Sequence, residues 1–448
     1  MTTVLQQLPV TQLVPLHGIG GRQDLPLPFE LVVAGAAVAL VMSFLVLGLT
    51  RRTTPADQPG LPLGAAFTRL VDSAALAWAV RAVGLLLAGF MVAALLFGQD
   101  LATNPFFGFL YVWVWVGLVP VSLVLGPVWR LLNPLRSLFL LTCRALRLDP
   151  DEGLRSLPGW VGCWPAVVGL FAFVWLELVA PDRVTVPTVL FWVTLYVVVM
   201  MLGSALFGQG WFTAADPFEN YALVIARLSL WGRRADGQLV LRSPLANLAA
   251  LQPRPGLVAF VAVLIGSTGY DGFSNSGIWL QWSQNSALSG VPAGTLGLLA
   301  FSAAVYLTYI GACSASGTIG DVPARGLPDL FVHTLVPIAV GYVTAHYLTL
   351  LVLEGQRVWL NASDPLSRDW DLFGTGNQRV DTTIVNYAGL VGLAQSAAII
   401  AGHIIAVTAA HDRALTRFPR RAVVTGQIPM LVVMVGYTVA ALFLLFTE

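Results

Sequence analysis

The chain has 448 residues, of which 57% are apolar and only 10% are Asp, Glu, Lys or Arg, whereas about a quarter of the residues in an ordinary soluble domain are charged. This composition excludes a soluble globular enzyme. All 24 basic residues are arginines, and they nearly balance the 23 acidic residues, so nucleic acid is not an expected partner.

Repeated apolar runs of about twenty residues, the length that crosses the hydrocarbon of a bilayer, predict an all-α integral membrane protein. Met1–Leu16 lacks the basic region and the apolar core of a signal peptide, so we expect it to be retained. Residues 1–28 are predicted to form an external segment, and residues 29–448 a single polytopic domain within the lipid bilayer. Its ten predicted spans are Phe29–Leu49, Trp78–Phe97, Phe106–Leu125, Trp160–Val179, Val189–Phe207, Leu257–Thr268, Leu296–Ala315, Leu330–Leu353, Tyr387–His411 and Ile428–Phe446.

The arginines predict the orientation of these spans, because cytoplasmic loops of membrane proteins accumulate positive charge. With both termini outside, nineteen of the 24 arginines lie on the cytoplasmic side. That count includes Arg81, whose long side chain can reach the interface from within the second span. The expected location is the plasma membrane.

Two predicted cytoplasmic loops, 127–157 and 208–254, combine basic residues with apolar ones. Such segments usually form helices that lie on the inner leaflet, and the alternative is a docking site for a second membrane subunit. In the third span, Tyr111, Trp113 and Trp115 are spaced by two residues, so they spread around the helix and are expected to contact lipid.

The sixth span has an unusually short apolar stretch, Leu257–Gly266, and a break is expected at Gly269 and Gly272. One interpretation is an outward-facing pocket with Asp271 at its floor, because broken backbone at membrane depth is tolerated where it lines a cavity. The other is a span that ends early and continues as an interfacial helix anchored by Trp279.

Histidines inside a membrane are functional candidates, because ionisable groups are costly there. His333 in the eighth span and His403 in the ninth are expected at similar depth and could face each other. Such a pair suits a haem or quinone site, or an interhelical hydrogen bond. His346 lies thirteen residues beyond His333, which is about 20 Å further along a helix.

On the outer side we expect Asp271 and His346 to form the catalytic pair. The glycines around Asp271 allow a ligand to approach the backbone, and a neutral imidazole can bind a metal or act as a general base near neutral pH. His17 and Asp371 are the further ligands expected for a divalent metal ion. The external loop 358–383, which contains Asp371, could instead be a solvated lid with internal ion pairs.

Five segments of the chain form a distinctive set: HGIGGRQDLPLP, YDGF, TAHYLTLL, SDPLSRDWDLFGT and AGHIIAVTAAHDRAL. Together they resemble a family of bacterial, largely actinobacterial, polytopic membrane proteins known as fenitrothion hydrolases, and the resemblance runs along the whole chain. It implies a membrane-bound hydrolase that acts on a small apolar ester from the outer side. Phosphotriester hydrolysis usually needs one or two metal ions held by histidine and carboxylate, but the resemblance itself assigns no catalytic residue.

Two other functions remain open from the sequence. The first is a transporter or permease for a small solute, in which two oppositely oriented halves of five spans would each contribute a broken helix. The first span, Phe29–Leu49, shows no break comparable to that expected in the sixth, which counts against this function. The second is a haem- or quinone-binding redox subunit that uses His333 and His403.

Overall fold

The protein is a bundle of helices in the computed structural model, which describes residues 27–51, 60–286 and 288–446. The first half contains α1 (Phe29–Thr50), α2 (Ala65–Val71), α3 (Ala74–Phe97), α4 (Pro105–Gly108), α5 (Leu118–Leu125), α6 (Trp129–Leu132), α7 (Pro134–Leu146), α8 (Trp164–Leu178), α9 (Val186–Phe207), α10 (Gly210–Ala215) and α11 (Pro217–Ile225). The second half contains α12 (Pro244–Ala249), α13 (Leu257–Ser274), α14 (Gly277–Asn285), α15 (Val291–Ala315), α16 (Leu327–Phe331), α17 (Leu335–Ala362), α18 (Ala388–Arg417) and α19 (Ile428–Leu445).

Within the described residues, nine helices are long and apolar enough to cross a membrane. A tenth candidate is a pair of segments, Pro105–Val114 and Leu118–Leu125, bent by 44° at the junction between them. Each of the ten predicted spans coincides with one of these elements. The chain is therefore a multi-pass, all-α membrane protein, as the composition predicts.

The connecting segments gather at two ends of the bundle. At one end, the side chain of Gln99 donates a hydrogen bond to Ser367 O and Asp100 accepts one from the Val186 amide. We call this the acidic end. It carries segments 98–104, 179–185, 275–286, 288–290 and 363–387, and it is the end predicted to lie outside.

At the opposite end, which we call the arginine end, a small antiparallel sheet joins β1 (Leu61–Pro62) to β3 (Leu239–Leu241), which also pairs with β2 (Trp231–Arg233). Arg51 forms an ion pair with Asp412 here, 2.9 Å apart. The structure thus groups the loops as the arginine distribution predicts, and the side of the membrane that each end faces stays a prediction.

Helix α13 lies at the centre of the bundle. In its most apolar stretch 89% of the residues are buried, against 17% in α1, so α13 is enclosed by protein whereas α1 faces lipid. Gly266 allows this packing, because a β-carbon there would lie only 2.6 Å from the α-carbon of Ser302.

The expected break in the sixth span is wrong. Helix α13 continues through Gly269 and Gly272 and ends at Ser274. Gly269 serves close packing instead, since a β-carbon on it would lie 3.3 Å from the ring of Phe301. After the end of α13, the chain continues as the exposed helix α14, which agrees with the interpretation of an interfacial helix.

The loop 208–254 also differs from its prediction. Helix α11 does not lie on a membrane surface, because all but one of its nine residues are buried in the bundle. It packs against α5, α8 and α10. In the loop 127–157, α7 does keep one exposed apolar face, which includes Leu138 and Leu141.

The aromatic run in the third span makes specific contacts within the protein, and Trp115 is buried. Between α4 and α5 the chain forms a π-helical turn, Phe109–Val114, a distortion that is frequent at functional sites. Trp115 is buried and stacks on Tyr221 with ring centroids 4.8 Å apart. Trp113 donates a hydrogen bond to Gly355 O, and Tyr111 donates one to Arg183 O.

Candidate functional site

Asp271 and His346, predicted as a pair from the sequence, are in direct contact. His346 Nε2 lies 2.9 Å from Asp271 Oδ2, and the Tyr347 hydroxyl donates a 2.8 Å hydrogen bond to the same oxygen. All three residues are buried, with Asp271 only 4% exposed. A carboxylate at this depth therefore has two protein donors that stabilise its charge.

The local sequence makes this contact possible. Asp271 lies in the last turn of α13, and His346 and Tyr347 lie near the middle of α17, which packs along α13. Gly272 lies beside the imidazole, and a β-carbon there would be in ordinary van der Waals contact with it, 3.7 Å from His346 Cε1.

Asp271 lines a cavity of about 330 Å³. The cavity extends from Asp271 to segments at the acidic end, where Asn104, Arg183 and Asn361 contribute to its wall. Phe107, Tyr111, Val112, Leu350 and Val358 give it apolar sides. Ten of the 19 lining residues are polar or charged, so a cavity of this size suits a small molecule that carries a polar or charged group as well as an apolar part.

Glu177, near the end of α8, is a second carboxylate in this cavity. Its Oε2 atom is buried and has no hydrogen-bond partner among the described residues. Glu177 and Asp271 are close enough to repel each other electrostatically. Two carboxylates from different helices thus line the same cavity, and one of them has a buried oxygen without a hydrogen-bond partner among the described residues.

The charged groups nearer the mouth are partly occupied with each other. Glu354 and Arg357, one turn apart on α17, form an ion pair 2.8 Å long. Arg183 is exposed to solvent, which screens its charge, but it lies close enough to attract Glu177. The lining contains three acidic residues, Asp271, Glu177 and Glu354, and two arginines, so acidic groups outnumber basic ones by one.

His346 does not line this cavity and lies behind Asp271. This placement differs from the prediction that the imidazole itself binds a metal or acts as the base. The geometry gives His346 and Tyr347 the task of orienting Asp271, and Asp271 is the group that faces the cavity.

The predicted metal centre is not assembled by the described residues. His17 lies outside them. Asp371 accepts hydrogen bonds from Ser363 Oγ and the Gly376 amide and lines a different cavity, at the loop surface. These bonds hold the pKa of Asp371 below its usual range and shape a turn. Among the residues that the structure describes, no group of three or more His, Cys, Asp or Glu side chains is placed to hold a metal ion.

The expected contact between His333 and His403 is not formed. His403 Nδ1 bonds the carbonyl oxygen of Ile399 in its own helix, 2.8 Å away. His333 lies in a short turn before α17, next to Arg413. Because each ring is engaged with a different part of α18, the pair does not frame a shared haem or quinone site.

The arginine end holds a second buried polar cluster, which sequence analysis missed. The Arg136 guanidinium binds both carboxylate oxygens of Glu219, at 3.1 and 3.0 Å, and also donates to Gln209 and Thr213. Glu219 and Arg136 are each 1% exposed. Every carboxylate oxygen and the whole guanidinium fork are thus used within the protein.

Asp216 completes this cluster. It caps α11 by accepting a hydrogen bond from the Phe218 amide, and it accepts others from Trp129 and Asn133. Burial, followed by repulsion from the charge of Glu219, raises the pKa of Asp216 to about 6, although the Trp129 bond opposes this.

Comparisons with protein-family models, with curated proteins and with solved structures give no match to this chain. Function is therefore inferred from the geometry of the cavity. Sequence analysis missed Glu177, although the signal is present, because Glu177 is a single acidic residue in the apolar run FVWLELV. An isolated charge in a span is a functional candidate by default.

Proposed function

We propose that the chain is a carrier in the bacterial plasma membrane that binds a small organic cation in the acidic cavity. The observation that carries this proposal is the pair of carboxylates, Asp271 and Glu177, that line one cavity near the acidic end of the bundle.

The chemistry of the lining favours a cation with an apolar body. A buried carboxylate is costly unless a positive charge or hydrogen bonds compensate it. Asp271 receives hydrogen bonds from two side chains, whereas the buried oxygen of Glu177 lacks one among the described residues. An ammonium group supplies that charge, and the rings of Phe107 and Tyr111 offer it apolar and cation–π contact.

The carrier proposal does not depend on the internal repeat of two oppositely oriented halves that a transporter was expected to show. That expectation relied on a broken sixth span, and α13 is unbroken. The carrier proposal relies on the cavity, on its excess of carboxylates and on the central position of α13.

The test is binding of benzylammonium to the purified protein in detergent, measured by calorimetry. Neutral benzyl alcohol and anionic benzoate, which have the same ring, are the matched ligands. We expect benzylammonium to bind and the other two to bind at least tenfold more weakly. Binding should weaken as the pH falls, because protons compete for the same carboxylates.

Variants of the two carboxylates test whether benzylammonium binds in the cavity that Asp271 and Glu177 line. Asp271→Asn and Glu177→Gln should each weaken benzylammonium binding tenfold or more, equivalent to about 1.4 kcal/mol or more. Asp371→Asn, in the separate loop cavity, is the matched control and should bind as the wild type does. Equal binding of benzoate, or unchanged binding in both carboxylate variants, would refute the proposal.

Ester hydrolysis is the second candidate, favoured by the resemblance to fenitrothion hydrolases and by the way His346 and Tyr347 hold Asp271. In this mechanism Asp271 accepts a proton from a water in the cavity as the water attacks the ester. A metal ion would have to include ligands outside the described residues, such as His17. Turnover of fenitrothion by the purified protein, abolished in Asp271→Asn, would favour hydrolysis, whereas a carrier releases no nitrophenol.

A further inference from the structure

Three arginines come together at the arginine end, where α3 packs against α6 and α7. The packing is close, because a β-carbon on Gly84 of α3 would overlap the carbonyl oxygen of Leu132, the last residue of α6. Arg81 lies one turn before Gly84 on α3. Arg130 and Arg136 precede and follow Leu132, in α6 and α7. The backbone contact thus brings the three arginines into one region of the bundle.

The charges in this region do not cancel. Arg81 is close enough to Arg136 and Arg130 to be repelled by both, and it is attracted by Glu219. Asp216 also acts on Arg136, so the region contains three arginines and two acidic residues. Arg136 and Glu219 form an ion pair with each other. The positive excess therefore lies on Arg81 and Arg130.

Both of these guanidinium groups keep donors without an acceptor among the described residues. A guanidinium presents its N–H donors in a planar fork. Arg81 donates a 3.3 Å hydrogen bond to Ser137 Oγ, and its guanidinium lies 5.6 Å from the ring centroid of Trp78. Arg130 is exposed and donates to no described residue. Arg81 is thus held by Ser137 and Trp78 while most of its fork remains available.

An exposed apolar surface continues from Arg81 towards the middle of the span. Leu85 lies one turn further along the same face of α3 and is partly exposed, and Leu86 is 75% exposed. Because α3 runs from the arginine end to the acidic end, these leucines lie deeper in the hydrocarbon than Arg81 does. Trp78, one turn before Arg81, is of the residue type that favours the membrane interface.

This order of groups fits a phospholipid with an anionic headgroup. Phosphate oxygens accept strong, charge-assisted hydrogen bonds from arginine forks. A phospholipid carries its phosphate at the interface and its acyl chains deeper, so it would meet the two arginines and the leucines in that order. Free phosphate would use the arginines alone. The cationic group of a choline lipid would be repelled by the same arginines.

We propose that Arg81 and Arg130 bind the phosphate of an anionic phospholipid in the leaflet at the arginine end, and that an acyl chain of this lipid lies along Leu85 and Leu86. The two non-bridging phosphate oxygens accept hydrogen bonds, one from each guanidinium. The lipid then connects α3 to α6 and stabilises the bundle, because it binds the folded state. This site is separate from the acidic cavity and does not depend on the carrier proposal.

The test measures the thermal unfolding midpoint of the purified full chain in dodecylmaltoside micelles as lipid is added. Phosphatidylglycerol should raise the midpoint until the site is saturated, whereas phosphatidylcholine with the same acyl chains should not. Arg81→Gln and Arg130→Gln should each raise the half-saturating mole fraction of phosphatidylglycerol at least tenfold. Each variant is compared with its own lipid-free midpoint, so a change in its basal stability does not mask the lipid effect.

Arg144→Gln is the matched control. Arg144 is another exposed arginine at the same end, on α7, and the substitution removes the same charge. Its half-saturating mole fraction should stay within twofold of the wild type. An equal loss in Arg144→Gln would show a general attraction to positive charge and would overturn the site. Unchanged phosphatidylglycerol binding in either Arg81→Gln or Arg130→Gln would also overturn it.

Two soluble anions distinguish a lipid from a free phosphate. Inorganic phosphate and glycerol 3-phosphate have the anionic group without acyl chains, so they should leave the midpoint unchanged at concentrations at which phosphatidylglycerol saturates the site. An equal shift with either anion would overturn the lipid assignment and indicate a site for free phosphate. An equal shift with phosphatidylcholine, or no shift with phosphatidylglycerol in the wild type, would overturn the proposal as a whole.

Discussion

The chain contains two buried clusters of charged residues that use their charges differently. At the arginine end, Arg136 and Glu219 satisfy each other, and neighbouring side chains use the remaining donors and acceptors. Near the acidic end, two acidic side chains, Asp271 and Glu177, line one cavity without an ion pair between them and an arginine, and Glu177 has an oxygen without a partner among the described residues.

The difference separates a structural role from a binding role. A closed network loses stability when any member is removed and has nothing to offer a ligand. An open pair of carboxylates gains stability when a cation or a proton arrives. Acidic residues in the two clusters therefore have opposite consequences, and the presence or absence of a satisfying partner distinguishes them.

The largest expected effect is on the closed network. Arg136→Met would leave Glu219 buried without its cation and should lower the free energy of unfolding by about 3–5 kcal/mol. Chemical unfolding in detergent measures this loss. The double variant Arg136→Met, Glu219→Gln removes the stranded charge and should recover part of the stability. A single variant as stable as the wild type would show that the network is not structural.

The second largest effect is a dependence of the free energy of unfolding on pH, caused by Asp216 at the arginine end. Asp216 has a pKa of about 6 in the folded protein, above its ordinary value, so the folded state binds more protons than the unfolded state in the window between those values. Stability should therefore fall as the pH rises through that window, by at most about 3 kcal/mol for a shift of this size. Asp216→Asn should flatten the profile of unfolding midpoint against pH, whereas Asp236→Asn, in an exposed turn, should leave it unchanged.

A smaller effect on stability is expected at the open pair. Asp271→Asn keeps the size of the side chain and an oxygen that can accept from Tyr347, so unfolding should become easier by only about 1–2 kcal/mol. Glu177→Gln removes a repulsion and should be neutral or slightly stabilising. Unfolding curves for the two variants check this, and a loss as large as that for Arg136→Met would place Asp271 in a structural network.

The smallest effect is expected at Asp371. Its hydrogen bonds lie in an exposed turn, so Asp371→Asn should change the free energy of unfolding by about 0.5 kcal/mol or less. Loss of bound metal or of benzylammonium affinity in this variant would connect the loop to the cavity and restore the predicted metal centre.

Much of the fold follows from hydropathy, because a bilayer requires long apolar helices. The spans and the grouping of loops at two ends were predictable for this reason. The burial of α11 was not predictable. A segment that carries Glu219 and Arg227 has the composition of a surface helix, and only the ion pair between Glu219 and Arg136 explains why it is buried. Such a pairing across 83 residues leaves no local pattern.

The site was predictable in part. Asp271 and His346 were identified as ionisable residues at membrane depth, and they are in contact. Their division of roles depends on which side chain faces the cavity, and that is fixed by the rotation of α13 against α17. The prediction of a helix break failed because glycines in a buried helix also permit close packing, and sequence alone does not separate these two uses.

The most direct test of the central claim is to count the protons released when benzylammonium binds. Calorimetry across a pH series, in two buffers with different enthalpies of ionisation, gives this number. At the lowest pH values of the series, wild-type protein should release a proton when benzylammonium binds. Glu177→Gln and Asp271→Asn should release fewer protons and bind benzylammonium more weakly. Binding with no proton release and equal affinity in all three proteins would contradict the claim that these carboxylates form the cation site.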